Sequence, residues 1–188
     1  MGGLRIVGGE LGGRRIAAPP GRDTRPTADR VREAVFSILG DVRDAEALDL
    51  FAGSGALAFE ALSRGAASAT LVERDPRALA AIRRNAADLG VTDRVRVVAA
   101  DWRRALSRDA AAGRAYGLCL IDPPYSLLAR IKDDLGALLA PVLAPGARVV
   151  VEHAARTPPL ELPELPIAAR TDRSYGDTAV SILRLEGR

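Results

Sequence analysis

The chain has one cysteine, one histidine and one lysine in 188 residues, and each scarcity narrows the reading. A lone thiol, Cys119, cannot close a disulfide within the chain, and its place in an apolar run suggests a buried, inert side chain. His153 has no recognisable acid–base partner nearby, so a structural or surface role is expected of it rather than catalysis. Structural zinc is unsupported, and no metal is expected. No stretch approaches the ~18 apolar residues of a membrane span. The start, Met1-Gly2-Gly3-Leu4-Arg5, lacks the apolar core of a secretion signal, so the expected location is cytoplasmic. Of 27 basic residues only Lys132 is lysine. Arginine suits phosphate, which it can hold with two parallel hydrogen bonds, but an alanine- and arginine-rich genome gives the same bias, so the excess carries no weight. No repeat or low-complexity segment appears. The length suits one domain that removes roughly 70% of its unfolded surface from water. A monomer is the default expectation.

The most informative residues are Asp122-Pro123-Pro124-Tyr125, delivered by the apolar run 117–121 as a strand delivers an active site. Methylating an amine on an aromatic base requires that a poor nucleophile, its lone pair delocalised into the ring, be held in line with an activated methyl. The Asp122 carboxylate can accept one amine hydrogen and the Pro123 carbonyl the other, while Tyr125 can stack on the base. Pro123 and Pro124 keep the acceptors stiff. A proline-rich turn after a buried strand would look the same, so the motif needs context.

That context lies upstream. Residues 47–55 form a short apolar run with Asp49 and Phe51, ending in the turn Gly53-Ser54-Gly55; a helix over 56–64, closed by Gly65, follows. The two glycines let the backbone turn tightly and approach a ligand. The same letters satisfy the loose dinucleotide fingerprint, so an NAD-dependent oxidoreductase stays open. Glu73, beside Arg74, ends the strand over 68–72 and can receive the hydroxyls of an adenosine ribose, which NAD and S-adenosylmethionine share. Asp101 follows the apolar run 95–100 and can accept an adenine amino group, with Trp102 beside it to pack on the ring. The glycine turn, Glu73, Asp101 and Asp122 thus stand at four successive strand ends, where an open parallel α/β sheet gathers its ligand contacts.

The chain resembles the RsmD family of bacterial methyltransferases. The likeness is carried by Arg5-Ile6-Val7-Gly8-Gly9, Gly13-Arg14, Thr24-Arg25-Pro26-Thr27-Ala28-Asp29-Arg30-Val31-Arg32-Glu33-Ala34-Val35-Phe36, residues 48–55 and Asp122-Pro123-Pro124-Tyr125, and it covers most of the chain. It implies S-adenosylmethionine as cofactor and, as substrate, the exocyclic N2 of a guanine in small-subunit (16S) ribosomal RNA, on assembled or assembling subunits. It also implies a Rossmann-like class I α/β methyltransferase fold: a seven-stranded, mostly parallel sheet, helices on both faces, a C-terminal antiparallel hairpin and strand order 3-2-1-4-5-7-6. Some members carry Asn in place of Asp122; only the carboxylate can also take up a proton. An adenine-N6 or glutamine methyltransferase would use the same acceptor motif. A DNA enzyme is disfavoured, because only about 40 residues remain after the core, too few for a target-recognition domain. A non-catalytic RNA-binding module is a further alternative, against which the intact Glu73, Asp101 and Asp122 argue.

Charge divides unevenly between a basic N-terminal arm, residues 1–40, and a methyltransferase core, 41–188. The arm holds seven arginines against four acids, +3, while the remaining residues balance at 20 of each sign. An appended RNA-gripping segment would look like this. The expected RNA contacts are Arg5, Arg14, Arg15, Arg25, Thr27, Arg30 and Arg32. Residues 4–18 suggest a hairpin, and Thr27 caps a helix running to Leu39, with Val31, Ala34, Val35, Ile38 and Leu39 inward and Arg30 and Arg32 outward. Asp75-Pro76 opens a helix with Leu79, Ile82, Ala86 and Leu89 buried. A helix over 127–143, interrupted near Pro141, a strand over 147–152, and a hairpin of 167–173 and 179–185 about the turn 174–177 complete the pattern.

Overall fold

The computed structural model describes residues 4–19 and 26–187; the side chains of residues 26–28, 125, 126 and 129 lie outside the description. A two-stranded ribbon, β1 (Leu4–Arg5) with β2 (Arg15–Ile16), precedes helix α1 (Pro26–Leu39). Strands and helices then alternate: β3 (Glu46–Leu50), α2 (Ala56–Ser63), β4 (Ser68–Glu73), α3 (Pro76–Leu89), β5 (Val95–Ala99), α4 (Trp102–Ala111), β6 (Tyr116–Ile121), α5 (Tyr125–Leu139) and β7 (Leu143–Ala154). The chain closes with the hairpin β8 (Ile167–Tyr175) and β9 (Thr178–Leu185). The seven-stranded sheet has the order β5-β4-β3-β6-β7-β9-β8. Counted from β3, that is the expected 3-2-1-4-5-7-6. The first five strands are parallel, and β9 lies antiparallel between β7 and β8.

Both faces of the sheet are covered, which is why its central strands read as unbroken apolar runs. On one face α1, α2 and α3 enclose a cluster with Phe36, Phe59, Leu62, Ile82, Leu118 and Leu120. On the other, α4 and α5 enclose Leu48, Leu50, Trp102, Leu106, Ile131 and Leu135. Each such side chain contributes about 1.5–3 kcal/mol by leaving water. Ile6 and Ile16 from the ribbon belong to the first cluster. Among the described residues no helix is long and apolar enough to cross a membrane, and no group of three or more His, Cys, Asp or Glu side chains is placed to hold a metal ion.

Several local expectations are corrected. α1 begins at Pro26, one residue before Thr27, because a proline fits the first helical position, where its missing N–H would have no partner. Its buried stripe is Val31, Arg32, Val35, Phe36 and Leu39, whereas Ile38 is 38% exposed. α4 was not anticipated. α5 starts two residues early and stops at Leu139, with a one-turn 3-10 helix over Ala140–Val142 around Pro141. β7 begins at Leu143, so it starts four residues early and ends two late. The hairpin turn shrinks to Gly176-Asp177, with Gly176 left-handed at φ 61. Cys119 is fully buried, and burial raises its thiol pKa. His153 lies inside β7, 2% exposed, with Nε2 3.3 Å from Ser181 Oγ.

Candidate active site

The parallel strands all point their C-terminal ends to one edge of the sheet, and the chain changes character there. After β3 the backbone turns through Phe51 with φ 67, a left-handed conformation uncommon outside glycine, and then through Gly53 and Gly55 at φ 58 and φ 80. Gly53 N–H donates to Glu73 Oε2 at 2.9 Å, tying the turn to the end of β4. The other oxygen, Oε1, accepts from Arg74 N at 2.7 Å and Asp75 N at 3.0 Å. A carboxylate offers about four acceptor sites. Three are taken by backbone, so Glu73 has room for about one strong hydroxyl contact instead of the two expected. Gly55 has a packing role: a Cβ there would lie 2.5 Å from Phe59 Cε2 and 2.8 Å from Leu71 Cδ2, so glycine brings α2 close to the sheet.

A cavity of about 300 Å³ opens at this edge, within the range that holds small ligands. Six of the anticipated residues line it: Phe51, Glu73, Arg74, Asp101, Trp102 and Pro124. Asp101 caps α4, its Oδ1 accepting from Arg103 N at 3.0 Å. Trp102 is 3% exposed; the Arg103 guanidinium sits 4.4 Å over its ring and Phe51 packs against it at 6.3 Å. The indole is therefore a wall held by protein contacts, and Phe51 is the more accessible of the two rings. Arg103, Leu127, Arg130 and Ile131 also line the cavity and were not foreseen. They come from α4 and α5, and the missed α4 hid part of that wall.

Next to this cavity the site changes from backbone donors to buried carboxyls. Asp122 follows β6, with Pro123 buried and Pro124 exposed at the cavity; the side chain of Tyr125 lies outside the described residues. Asp49, on the adjacent β3, is 1% exposed and accepts from Ala58 N at 3.1 Å. Burial pushes its carboxyl well above the ordinary range; the Ala58 hydrogen bond opposes this, and the charges of Asp122 and Glu73 add to it. Asp49 thus braces the start of α2 from beneath the glycine turn, and it does not line the cavity. Glu152, unnoticed in the sequence, is pushed to about 8 by burial and then by the charge of Asp122, with Arg32 opposing.

The arm divides into structural and outward arginines. Arg32 is 5% exposed, bonded to the Arg5 carbonyl at 2.6 Å and to Asp29 at 2.8 Å, with Nε 3.4 Å from Glu60. It cannot serve as the surface contact expected of it, because position 32 falls on the apolar stripe of α1. Arg14 is likewise engaged, its guanidinium donating to the carbonyls of Leu89 and Asp88 at the end of α3. Arg5 is 61% exposed though paired with Asp29; Arg15 and Arg30 are exposed. Arg25 and the side chain of Thr27 lie outside the described residues. Asn85, also missed, is buried: it accepts from Ala17 N at 2.7 Å and donates to Ala17 O and Ser54 O, each at 2.9 Å. One amide thereby joins the arm to the glycine turn.

The family described as "Conserved hypothetical protein 95" matches residues 4–184. A protein named "Putative rRNA methyltransferase YlbH", from Bacillus subtilis, is 34% identical over 98% of this chain and all of its own length. The chain belongs to the RsmD family. "Ribosomal RNA small subunit methyltransferase D" of Escherichia coli K12, similar to this RsmD-family chain, is 44% identical across 66% of the chain and 61% of that protein. The solved structure of "Putative methyltransferase yhhF from Escherichia coli" superposes with a TM-score of 0.80 at 34% identity, covering both chains completely. An RNA methyltransferase from Salinibacter ruber, solved with S-adenosyl-L-homocysteine, shares the fold at 19% identity and a TM-score of 0.61, over 89% of this chain and 95% of its own. The edge of the sheet fits the adenosyl end of S-adenosylmethionine: Glu73 can take a ribose hydroxyl, Asp101 an amino group, and Val72 and Ile131 give apolar walls.

Proposed function

We propose that the protein transfers a methyl group from S-adenosylmethionine to the exocyclic N2 of a guanine in small-subunit ribosomal RNA, on assembled or assembling subunits. The observation that carries this reading is the place of the Asp122-Pro123-Pro124 corner. It ends β6, which pairs with the strand leading into the glycine turn, and Pro124 walls the same cavity as Glu73 and Asp101. The relative named for small-subunit ribosomal RNA methylation supports the substrate class.

Bound S-adenosylmethionine supplies a methyl activated by its sulfonium, and the carbon–sulfur electron pair leaves with sulfur. The protein's own task is alignment and late acceptance of a proton. Asp122 accepts one amine hydrogen and the Pro123 carbonyl the other, which leaves the nitrogen lone pair directed at the methyl. Tyr125 stacks on the flipped base, offsetting its unstacking by ~1–3 kcal/mol. Arg5, Arg15 and Arg30 on the arm hold RNA phosphates; Arg14 and Arg32 are left out of that role because the fold uses them.

The test is to incubate the protein with labelled S-adenosylmethionine and undermethylated small subunits or naked RNA, then map the modified nucleoside. Label on N2-methylguanine at one position is the expected result. Label on adenine N6 or on protein glutamine would replace the substrate and keep the chemistry. A melting shift with NAD but none with S-adenosylhomocysteine would move the protein to hydride transfer.

A further inference from the structure

One partly buried carboxyl at the sheet edge has no part in the transfer described above. β6 and β7 run parallel and in register, with Leu120 opposite Val150 and Ile121 opposite Val151. The ladder ends at Ile121 and Val151; Asp122 and Glu152 are the next residues of the two chains, close enough for the charge of Asp122 to act on Glu152. Glu152 shares the face of Val150, two residues earlier, and so looks toward the cluster that contains α1. From α1 comes Arg32, whose guanidinium is already engaged by the Arg5 carbonyl, Asp29 and Glu60. Among the described residues Glu152 forms no ion pair of its own.

We propose that Glu152 is a positioning residue for methyl transfer: it holds one proton for the pair it makes with Asp122, so that Asp122 meets the amine as the only carboxylate of the two. The inference rests on the methyltransferase reading of the Asp122 corner. Two carboxyls near one another in a partly buried site do not both ionise freely at neutral pH, and one of them keeps a proton. The rise of Glu152 to about 8, caused first by burial and then by Asp122, agrees with this assignment. The charged groups acting on Glu152 are Asp122 from β6 and Arg32 from α1; its register partner on β9 is apolar Val180, and Asp49 on β3 acts on Asp122. As the nitrogen–carbon bond forms and the carbon–sulfur bond breaks, the surplus amine proton passes to the Asp122 carboxylate. The pair then holds two protons and no charge, and one leaves to water with the product. Ionising Glu152 before that step would place two like charges at the corner and push Asp122 out of line.

The first measurement needs no substrate. Carboxyl carbon-13 NMR of the glutamate-labelled full chain, with the Glu152 signal assigned by its loss in Glu152→Gln, should give a midpoint near 8 that falls toward the ordinary range in Asp122→Asn. An ordinary midpoint in the wild type, or one that Asp122→Asn leaves unmoved, overturns the proposal whatever the protein methylates. The second compares kcat at pH 7 and pH 9 on undermethylated small subunits. A group with a midpoint of about 8 that must stay protonated adds about a tenfold fall in the wild type, and Glu152→Gln should lack that component over the same interval. Ionisation of the RNA base is common to both enzymes and cancels. An equal fall in Glu152→Gln also overturns the proposal, whereas a wild type without turnover at any pH, alongside the NMR coupling, would fault the methylation reading alone.

Discussion

Glu73 ends β4 and Asp49 lies one residue before the end of the neighbouring parallel strand β3, yet their surroundings differ in kind. Glu73 is half-buried and receives three backbone N–H groups, from Gly53, Arg74 and Asp75. Asp49 is sealed in the sheet with one, from Ala58, and sits near two further carboxyls. Burial near like charges favours the protonated form of Asp49. The edge of the sheet is thus two half-sites. The β4–β5 side presents carboxyls held by backbone donors, in a geometry suited to binding, and the β3–β6–β7 side gathers carboxyls near one another, suited to holding and receiving protons.

The difference breaks most sharply at Asp122. Asp122→Ala should lower turnover about 10²–10⁴-fold, the usual scale for a lost positioned acid–base group, while the affinity for S-adenosylhomocysteine stays within about threefold. Single-turnover rates with equilibrium binding read both, and wild-type turnover in the variant would remove Asp122 from the mechanism. Arg32→Met should cost about 1.5–3 kcal/mol of stability, because it removes the charged hydrogen bonds to Asp29 and the Arg5 carbonyl while Glu60 keeps Arg64 and the N–H groups of Val7 and Gly8. A urea midpoint equal to wild type would show that the ion pair contributes nothing. Glu73→Ala should reverse the Asp122 pattern: cofactor affinity falls roughly 10–100-fold, the worth of about 1.5–3 kcal/mol for a charged hydrogen bond, with saturating turnover largely kept. If turnover at saturation collapsed instead, the two halves would not be separable.

Asp49→Asn tests the proton-holding side by stability. The folded pKa of Asp49 lies above its ordinary 3.8, so folding favours the protonated form. That contribution is complete below about 3.8 and is lost as pH rises through the elevated value. Asparagine keeps an acceptor for Ala58 N–H but cannot ionise. Its melting temperature should therefore match the wild type near pH 3.5 and exceed it increasingly as pH rises; a difference independent of pH would show that Asp49 never stores a proton.

Much of this was legible in the sequence, for physical reasons that also mark where legibility stopped. Parallel strands buried on both faces leave uninterrupted apolar runs, so the ends of β3, β4, β5 and β6 stood out, and with them Gly53, Glu73, Asp101 and Asp122. Glu152 did not stand out, since a lone acid at the end of an apolar run reads as the start of a loop, and only the pairing of β6 with β7 brings it near Asp122. The charge of Arg32 suggests an outward residue. Its spacing pointed inward, three and four residues from Val35 and Phe36, and Asp29 one turn earlier was a partner in waiting. Asn85 carried the same signal between Ile82 and Leu89, as did α4, whose Trp102, Ala105, Leu106 and Asp109 fall on one side beneath an arginine-rich exterior.

Helix α1 supplies the smallest test, because Arg30 and Arg32 stand two residues apart on opposite sides of it. Arg30 is exposed and Arg32 buried. If the outer surface of α1 meets RNA phosphate, Arg30→Glu should weaken binding of small-subunit RNA and reduce the slope of log affinity against log salt by about one. Arg32→Met, measured at a temperature where it remains folded, should leave that slope alone, since a guanidinium enclosed by Asp29, Glu60 and the Arg5 carbonyl releases no counterion from RNA. Filter binding between 50 and 200 mM salt, on the scale where such slopes are resolved, separates the two. An unchanged slope in Arg30→Glu would move the RNA surface away from α1, toward the rim of the cavity where Arg103 and Arg130 lie.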